Sequence, residues 1–141
     1  FLWNNSSSGG IVYNTSIKIL VVDDMMTMRK LVKKGLQSMG FSQFEEAENG
    51  QIAWEKLTQN PEIGLIISDL NMPHCTGLNF LKMVRTHDQF KNLPFLLLTG
   101  EGEFSQVKSA LAAGVDNCVL KPFTSQSLKE KLSLTYQKKT A

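Results

Sequence analysis

Cysteine and histidine are nearly missing: the 141 residues hold two of each. Cys75 and Cys118 cannot build a disulfide framework, and their spacing makes no zinc-ligand pattern. His74 beside Cys75 has no second cluster to complete a metal site. The pair reads as loop residues, and Cys118 as a buried thiol in a reducing compartment. An excess of one charge is missing too, since a formal net charge of +2 supplies no basic surface for nucleic acid or membrane. No stretch approaches the ~18 consecutive apolar residues that span a bilayer. Phe1-Leu2-Trp3 is too short for a signal-peptide core, and no basic region precedes it. These absences predict a cytoplasmic protein that binds neither nucleic acid nor membrane. The length suits one domain with a real core.

What is present is alternation. Residues 1–16, with Ser6-Ser7-Ser8-Gly9-Gly10 inside them, read as a flexible N-terminal extension or expression remnant, leaving an ordered domain over 17–138. Ile17-Lys18-Ile19-Leu20-Val21-Val22 is a strand that runs into Asp23-Asp24. Met28, Leu31, Val32, Gly35, Leu36 and Met39 then recur at helical spacing, and Gly40 stops the helix. A weaker strand over 44–48 leads to the Asn49-Gly50 turn, and a second helix carries Ile52, Ala53 and Leu57 to Asn60-Pro61. Leu65-Ile66-Ile67-Ser68-Asp69 is a short buried strand ending in a carboxylate. A third helix follows Thr76-Gly77. Phe95-Leu96-Leu97-Leu98 ends in Thr99-Gly100. Val107, Ala110, Leu111 and Ala113 mark a helix stopped by Gly114. The last strand, 117–120, runs into Lys121-Pro122, and a final helix over 125–138 has Ser125 as its expected N-cap.

Five strands alternating with five helices predict an α/β fold with a mostly parallel sheet and right-handed crossovers. In such a sheet the strand ends share one edge. Asp23, Asp24, Asp69, Thr99 and Lys121 would therefore converge. Three carboxylates in a partly buried site repel one another, and a divalent cation such as Mg²⁺ relieves that repulsion. With Lys121 and the Thr99 hydroxyl added, the group suits a phosphoryl moiety carried on a carboxylate, with Asp69 on the central strand the best acceptor. Taken singly, each piece is ordinary. An acidic pair after a strand is commonly a helix N-cap, and a Thr-Gly turn needs no function. Their joint occurrence at successive strand ends is what makes a site.

Val21-Val22-Asp23-Asp24, Ser68-Asp69-Leu70-Asn71-Met72-Pro73, Thr99-Gly100 and Leu120-Lys121-Pro122-Phe123 resemble the motifs of response-regulator receiver domains. The resemblance covers about residues 17–134. Met26-Thr27-Met28-Arg29, Asn71 and Glu101 are similar to the single-domain chemotaxis regulators of the CheY type. The resemblance implies a doubly wound, flavodoxin-like sheet in the order 2-1-3-4-5, which sets Asp23 and Asp24 beside Asp69. It implies that Asp69 takes phosphate from a CheA-type histidine kinase. Asp24, Asp69 and the backbone carbonyl of Asn71 would bind Mg²⁺, and Asp23 would act through water. Thr99 and Lys121 would hold the phosphoryl group, with a cis bond between Lys121 and Pro122. Asn71 and Glu101 would tune dephosphorylation by water or an auxiliary phosphatase. The protein would be a monomeric switch rather than an enzyme, catalysing only its own phosphoryl uptake and loss, with a flagellar motor switch protein as its target.

One position departs from the pattern. Where the family has an aromatic residue three places before the lysine, this chain has Cys118, whose thiol cannot fill a ring's volume. Phosphoryl uptake is expected to be kept and the output step to differ. Other readings are a phosphorelay intermediate, or the receiver of a DNA-binding regulator. The chain ends a few residues past its last helix, which favours a stand-alone regulator. An aspartyl-nucleophile phosphatase is less suited: its two aspartates are separated by one residue and it carries a cap. A flavin module is less suited still, since Asp23-Asp24 would repel the flavin phosphate.

Overall fold

Strand composition decides the architecture. Ile19, Leu20, Val21 and Val22 are apolar without alternation, as are Leu65, Ile66 and Ile67, and all are fully buried. Strands apolar on both faces belong in the middle of a sheet covered by helices on each side. The computed structural model describes residues 3–5 and 11–140, and it has this form. A five-stranded parallel sheet contains β3 (Lys18–Val22), β4 (Gln43–Ala47), β5 (Ile63–Asp69), β6 (Phe95–Thr99) and β7 (Asn117–Leu120). Its order is β4-β3-β5-β6-β7, which is 2-1-3-4-5 within the sheet. Preceding it, β1 (Trp3–Asn5) and β2 (Ile11–Tyr13) pair antiparallel. This pair falls in the stretch read as a flexible extension, whose remaining residues 1, 2 and 6–10 lie outside the described residues.

The helices are α1 (Met26–Gln37), α2 (Gly50–Gln59), α3 (Gly77–Arg85), α4 (Phe104–Ala112) and α5 (Ser125–Thr140). Alternate strand residues feed two cores. Leu20, Val22, Ile66 and Leu97 pack with Ala53 of α2, Phe80 and Val84 of α3 and Ala110 of α4. Ile19, Val21, Ile67 and Leu98 pack with Val32 and Leu36 of α1 and Leu128 and Leu132 of α5. Among the described residues, no helix is long and apolar enough to cross a membrane.

Three local details differ from a simple reading of the sequence. Leu31 and Leu111 fall at helical spacing with the apolar residues around them, yet both are more than half exposed. Only Val32, Gly35 and Leu36 are buried in α1 and only Ala110 in α4, so each helix meets the sheet along a stripe narrower than the apolar periodicity suggests. The cap of α5 is Thr124 rather than Ser125. The Thr124 hydroxyl accepts from the Ser127 amide at 3.0 Å, and the Ser127 hydroxyl accepts from the Thr124 amide at 2.9 Å. The reciprocal pair satisfies two amides at the helix start. Asn49, expected in a turn, is the N-cap of α2 and accepts from the Ile52 amide.

The end of α4 is closed tightly. Gly114 has a φ of +96°, the left-handed conformation that a helix stop favours. The Val115 amide donates to the Ala110 carbonyl and the Gly114 amide to that of Leu111, which completes a Schellman stop. Arg85, at the end of α3, fastens this corner. Its guanidinium donates to the carbonyls of Gly114 at 2.8 Å and Leu93 at 2.7 Å and to Asp116 Oδ2 at 2.9 Å. The same Asp116 oxygen accepts from the Phe95 amide, where β6 begins. Removing one partner of such a shielded pair leaves an uncompensated charge. Arg85→Ala is expected to cost about 3 kcal/mol in urea unfolding, with Asp116→Asn milder because the amide keeps an acceptor.

Candidate phosphoryl and metal site

Strand register assembles the site. Val22 of β3 aligns with Ser68 of β5, so Asp23 follows beside Asp69. Asp69 aligns with Leu98 of β6, placing Thr99 one step on, and Thr99 aligns with Leu120 of β7, placing Lys121 next. Each neighbour thus contributes one polar side chain at the carboxyl edge, the place where ligands meet a doubly wound sheet.

Carboxylate oxygens of Asp23, Asp24 and Asp69 all lie within 4.8 Å of one another. Asp23, Asp69 and Thr99 are buried, whereas Asp24 is exposed. Asp23 Oδ1 accepts from the Met25 amide at 2.9 Å, holding the turn before α1. Its Oδ2 is buried and has no hydrogen-bond partner. Burial above all, with the neighbouring Asp69 and Asp24 charges adding to it, pushes the Asp23 carboxyl up to about 6, against the Met25 amide and the Lys121 charge. Arg29 of α1 donates to the Asp23 carbonyl at 2.6 Å and is itself paired with Glu46. It therefore braces the backbone of the acidic turn.

Lys121 Nζ lies 2.7 Å from Asp69 Oδ1. Burial raises the Asp69 pKa, and the Lys121 hydrogen bond and charge work against that rise. Burial alone would lower Lys121, but the Asp69 hydrogen bond and the surrounding carboxylates outweigh it and raise its pKa. The peptide bond joining Lys121 to Pro122 is cis, as the resemblance implied.

The loop after β5 is pressed against the strand end by two glycines. A Cβ on Gly77 would collide with the Asp69 carbonyl oxygen, and the Gly77 amide donates to the Leu70 carbonyl. A Cβ on Gly50 would stand 2.5 Å from the Cys75 sulfur, while the Gly50 amide donates to the Cys75 carbonyl. His74, at a φ of +68°, turns the chain between them. His74 and Cys75 thus belong to a packed loop, and the acidic trio is the cluster among the described residues able to hold a metal.

The remaining expected residues fall around this centre. Asn71 lies in the loop directly after Asp69. Glu101 is exposed in the turn after β6. The carboxylate that Asn71 meets is instead Glu103, whose Oε1 accepts from Asn71 Nδ2 at 2.9 Å. Sequence reading passed over Glu103 because it follows Gly102 just before a helix and belongs to none of the quoted motifs. Cys118 is half-buried on β7, aligned with Leu97 and packed on the α2–α4 side of the sheet. Burial pushes its thiol pKa up.

Known proteins share this fold and much of this sequence. The profile of the response regulator receiver domain matches residues 19–133. Chemotaxis protein CheY1 of Helicobacter pylori is 47% identical over 118 residues, spanning 84% of this chain and 95% of that protein. The CheY homologue of Campylobacter jejuni is 45% identical over 116 residues, spanning 82% of this chain and 89% of its own. Among solved structures, the chemotaxis response regulator CheY4 of Vibrio cholerae superposes with a TM-score of 0.75 at 36% identity, covering 84% of this chain and 98% of that one. With these matches, the sheet order and the acidic edge around Asp69, the chain belongs to the response-regulator receiver family.

Proposed function

We propose that the protein is a chemotaxis switch that accepts a phosphoryl group on Asp69 and changes its affinity for a flagellar motor partner. The observation that carries this reading is the buried Asp69 carboxylate, held 2.7 Å from Lys121 beside Asp23 and Asp24. Asp69 Oδ attacks the phosphorus of a phosphohistidine on a CheA-type kinase, the P–N bond breaks, and an acyl phosphate forms. Lys121 shifts from the carboxylate to the phosphoryl oxygens, neutralising charge, and Thr99 donates its hydroxyl to them. Asn71 and Glu101 flank the route by which water or an auxiliary phosphatase removes the group.

A divalent cation fits the acidic trio. The orphaned Asp23 Oδ2, buried and without a donor, is the atom a cation or its bound water would satisfy. Asp24, Asp69 and the Asn71 carbonyl would hold Mg²⁺, with Asp23 acting through water. Bound there, Mg²⁺ supplies positive charge to offset the crowded carboxylates and the phosphoryl oxygens.

The output face lies around α4 and β7, where Phe104, Leu111 and Leu120 are 71%, 58% and 58% exposed. Exposed side chains of this size suit a protein contact, and the curated relatives are named as chemotaxis proteins. On this reading the protein acts in the cytoplasm as a monomer.

Incubation with acetyl phosphate and Mg²⁺ should add one phosphoryl mass to the wild type and none to Asp69→Asn. Equal labelling of both would remove Asp69 as the acceptor. Binding of the phosphorylated protein to a motor-switch peptide, compared with a phosphotransfer domain, separates a motor regulator from a relay intermediate. Cys118→Tyr should leave phosphoryl uptake intact while changing the affinity for that peptide; lost uptake would show that Cys118 serves the site itself.

The acidic cluster also sets a pH dependence. Asp23 ordinarily titrates near 3.8 but is pushed up to about 6 in the folded chain. The folded form therefore holds this proton more tightly than the unfolded form. Stability falls as pH rises from about 4 to about 6, by an amount of the order of 2–3 kcal/mol. A cation reverses this loss only where the carboxylates are ionised. Thermal unfolding should show Mg²⁺ raising Tm clearly at pH 7.5 and hardly at pH 4.5. An equal rise at both pH values would place the metal elsewhere.

A further inference from the structure

The geometry points to Glu103 as an electrostatic gate on Asp69: its carboxylate closes the mouth of the site through Asn71 and must withdraw when a phosphoryl group arrives, taking the start of α4 with it. This rests on the reading of Asp69 as phosphoacceptor and adds a positioning residue that lies outside the quoted motifs.

Glu103 is two residues past Glu101 and immediately before α4. Its Oε1 accepts from Asn71 Nδ2 at 2.9 Å, bridging the loop after β5 to the loop after β6. Its Oε2 is buried with no hydrogen-bond partner, so this carboxylate is held in a place where half of it is unsatisfied. A half-satisfied buried charge is costly, and such a contact is readily exchanged for a better one. Gly100 leaves room for the fold-back, since a Cβ there would stand 3.4 Å from Glu103 Oε1. The Glu103 charge is felt at both Asp69 and Lys121.

A phosphoryl group on Asp69 would bring further negative charge to this mouth and repel the carboxylate. An alternative partner lies within the same residue's reach. Glu103 occupies the N-cap position of α4 but makes no side-chain cap there, because the carboxylate is turned back to Asn71. Released from Asn71, it can meet the unsatisfied amides of the first turn, where a negative charge is favoured. Two alternative resting places for one carboxylate make a bistable element. Phe104, the next residue, is 71% exposed and has the Lys108 ammonium 5.1 Å from its ring centre. Movement of Glu103 thus reaches the output face through one peptide bond, without an aromatic at the Cys118 position.

The test compares wild type, Glu103→Gln and Glu103→Ala in phosphoryl uptake from acetyl phosphate at fixed Mg²⁺, followed by intact mass. Glutamine keeps the acceptor for Asn71 and removes only the charge. Both variants should take up phosphoryl roughly three- to tenfold faster than wild type, as expected for loss of one unit charge at a partly screened mouth. Hydrogen exchange over residues 103–108 should change on phosphorylation of the wild type and change less in Glu103→Gln. If Glu103→Gln matches wild type while Glu103→Ala alone is faster, the residue is a neutral latch and the gate is refuted. Asp69-dependent uptake that is unaffected by either variant also refutes it, leaving the phosphoacceptor reading standing. Absence of any Asp69-dependent uptake in wild type overturns that reading instead.

Discussion

The structure depends on a charge imbalance at one edge of a sheet. Three carboxylates stand together there, and the ammonium of Lys121 contacts Asp69. In a shielded setting, like charges at this separation repel strongly. The raised pKa of Asp23 records its burial above all, with the neighbouring carboxylate charges adding to it. Nothing about the fold itself requires such crowding, since a strand can end in asparagine or serine at no such expense. A site this unfavourable in isolation is one that a bound cation would relieve.

The scaffold around the edge is arranged to keep these groups from relaxing apart. Gly77 lets the following helix sit directly on the Asp69 carbonyl, and Gly50 does the same for the loop at Cys75. Arg29 grips the Asp23 carbonyl from α1, with Glu46 holding the arginine in turn. On the opposite side, among the described residues, the loop after β6 is tied across by the contact from Asn71 to Glu103. On the proposed function, bracing on one flank and a polar tie on the other would separate the chemistry from the part that responds to it.

Much of this was legible before any coordinates. Unbroken apolar runs ending in Asp23, Asp69, Thr99 and Lys121 are visible in the chain, and parallel pairing leaves few ways to place their ends. What could not be read was side-chain direction. Leu31 and Leu111 fit a helical period yet face outward, because a period identifies a stripe without fixing how wide the contact beneath it is. Thr124 and Ser125 are equally good caps by residue type, and only the reciprocal bonds to Ser127 decide between them. Glu101 and Glu103 stand two residues apart, and which of them folds back to Asn71 is settled by loop conformation rather than by spacing.

The two ends of α4 are fixed very unequally. Its final turn is locked by the Gly114 stop and the Arg85 clamp, whereas its first turn has no side chain of its own to cap it. A rod held in this way would swing about its tail. With nine residues at about 1.5 Å each the arm is about 13 Å long, so a tilt of ~10° would carry Phe104 about 2 Å while Leu111 hardly shifts. A partner reading this helix would sense the displacement mainly at the phenylalanine end, and any binding surface shared with Leu111 would be offered alike in both states.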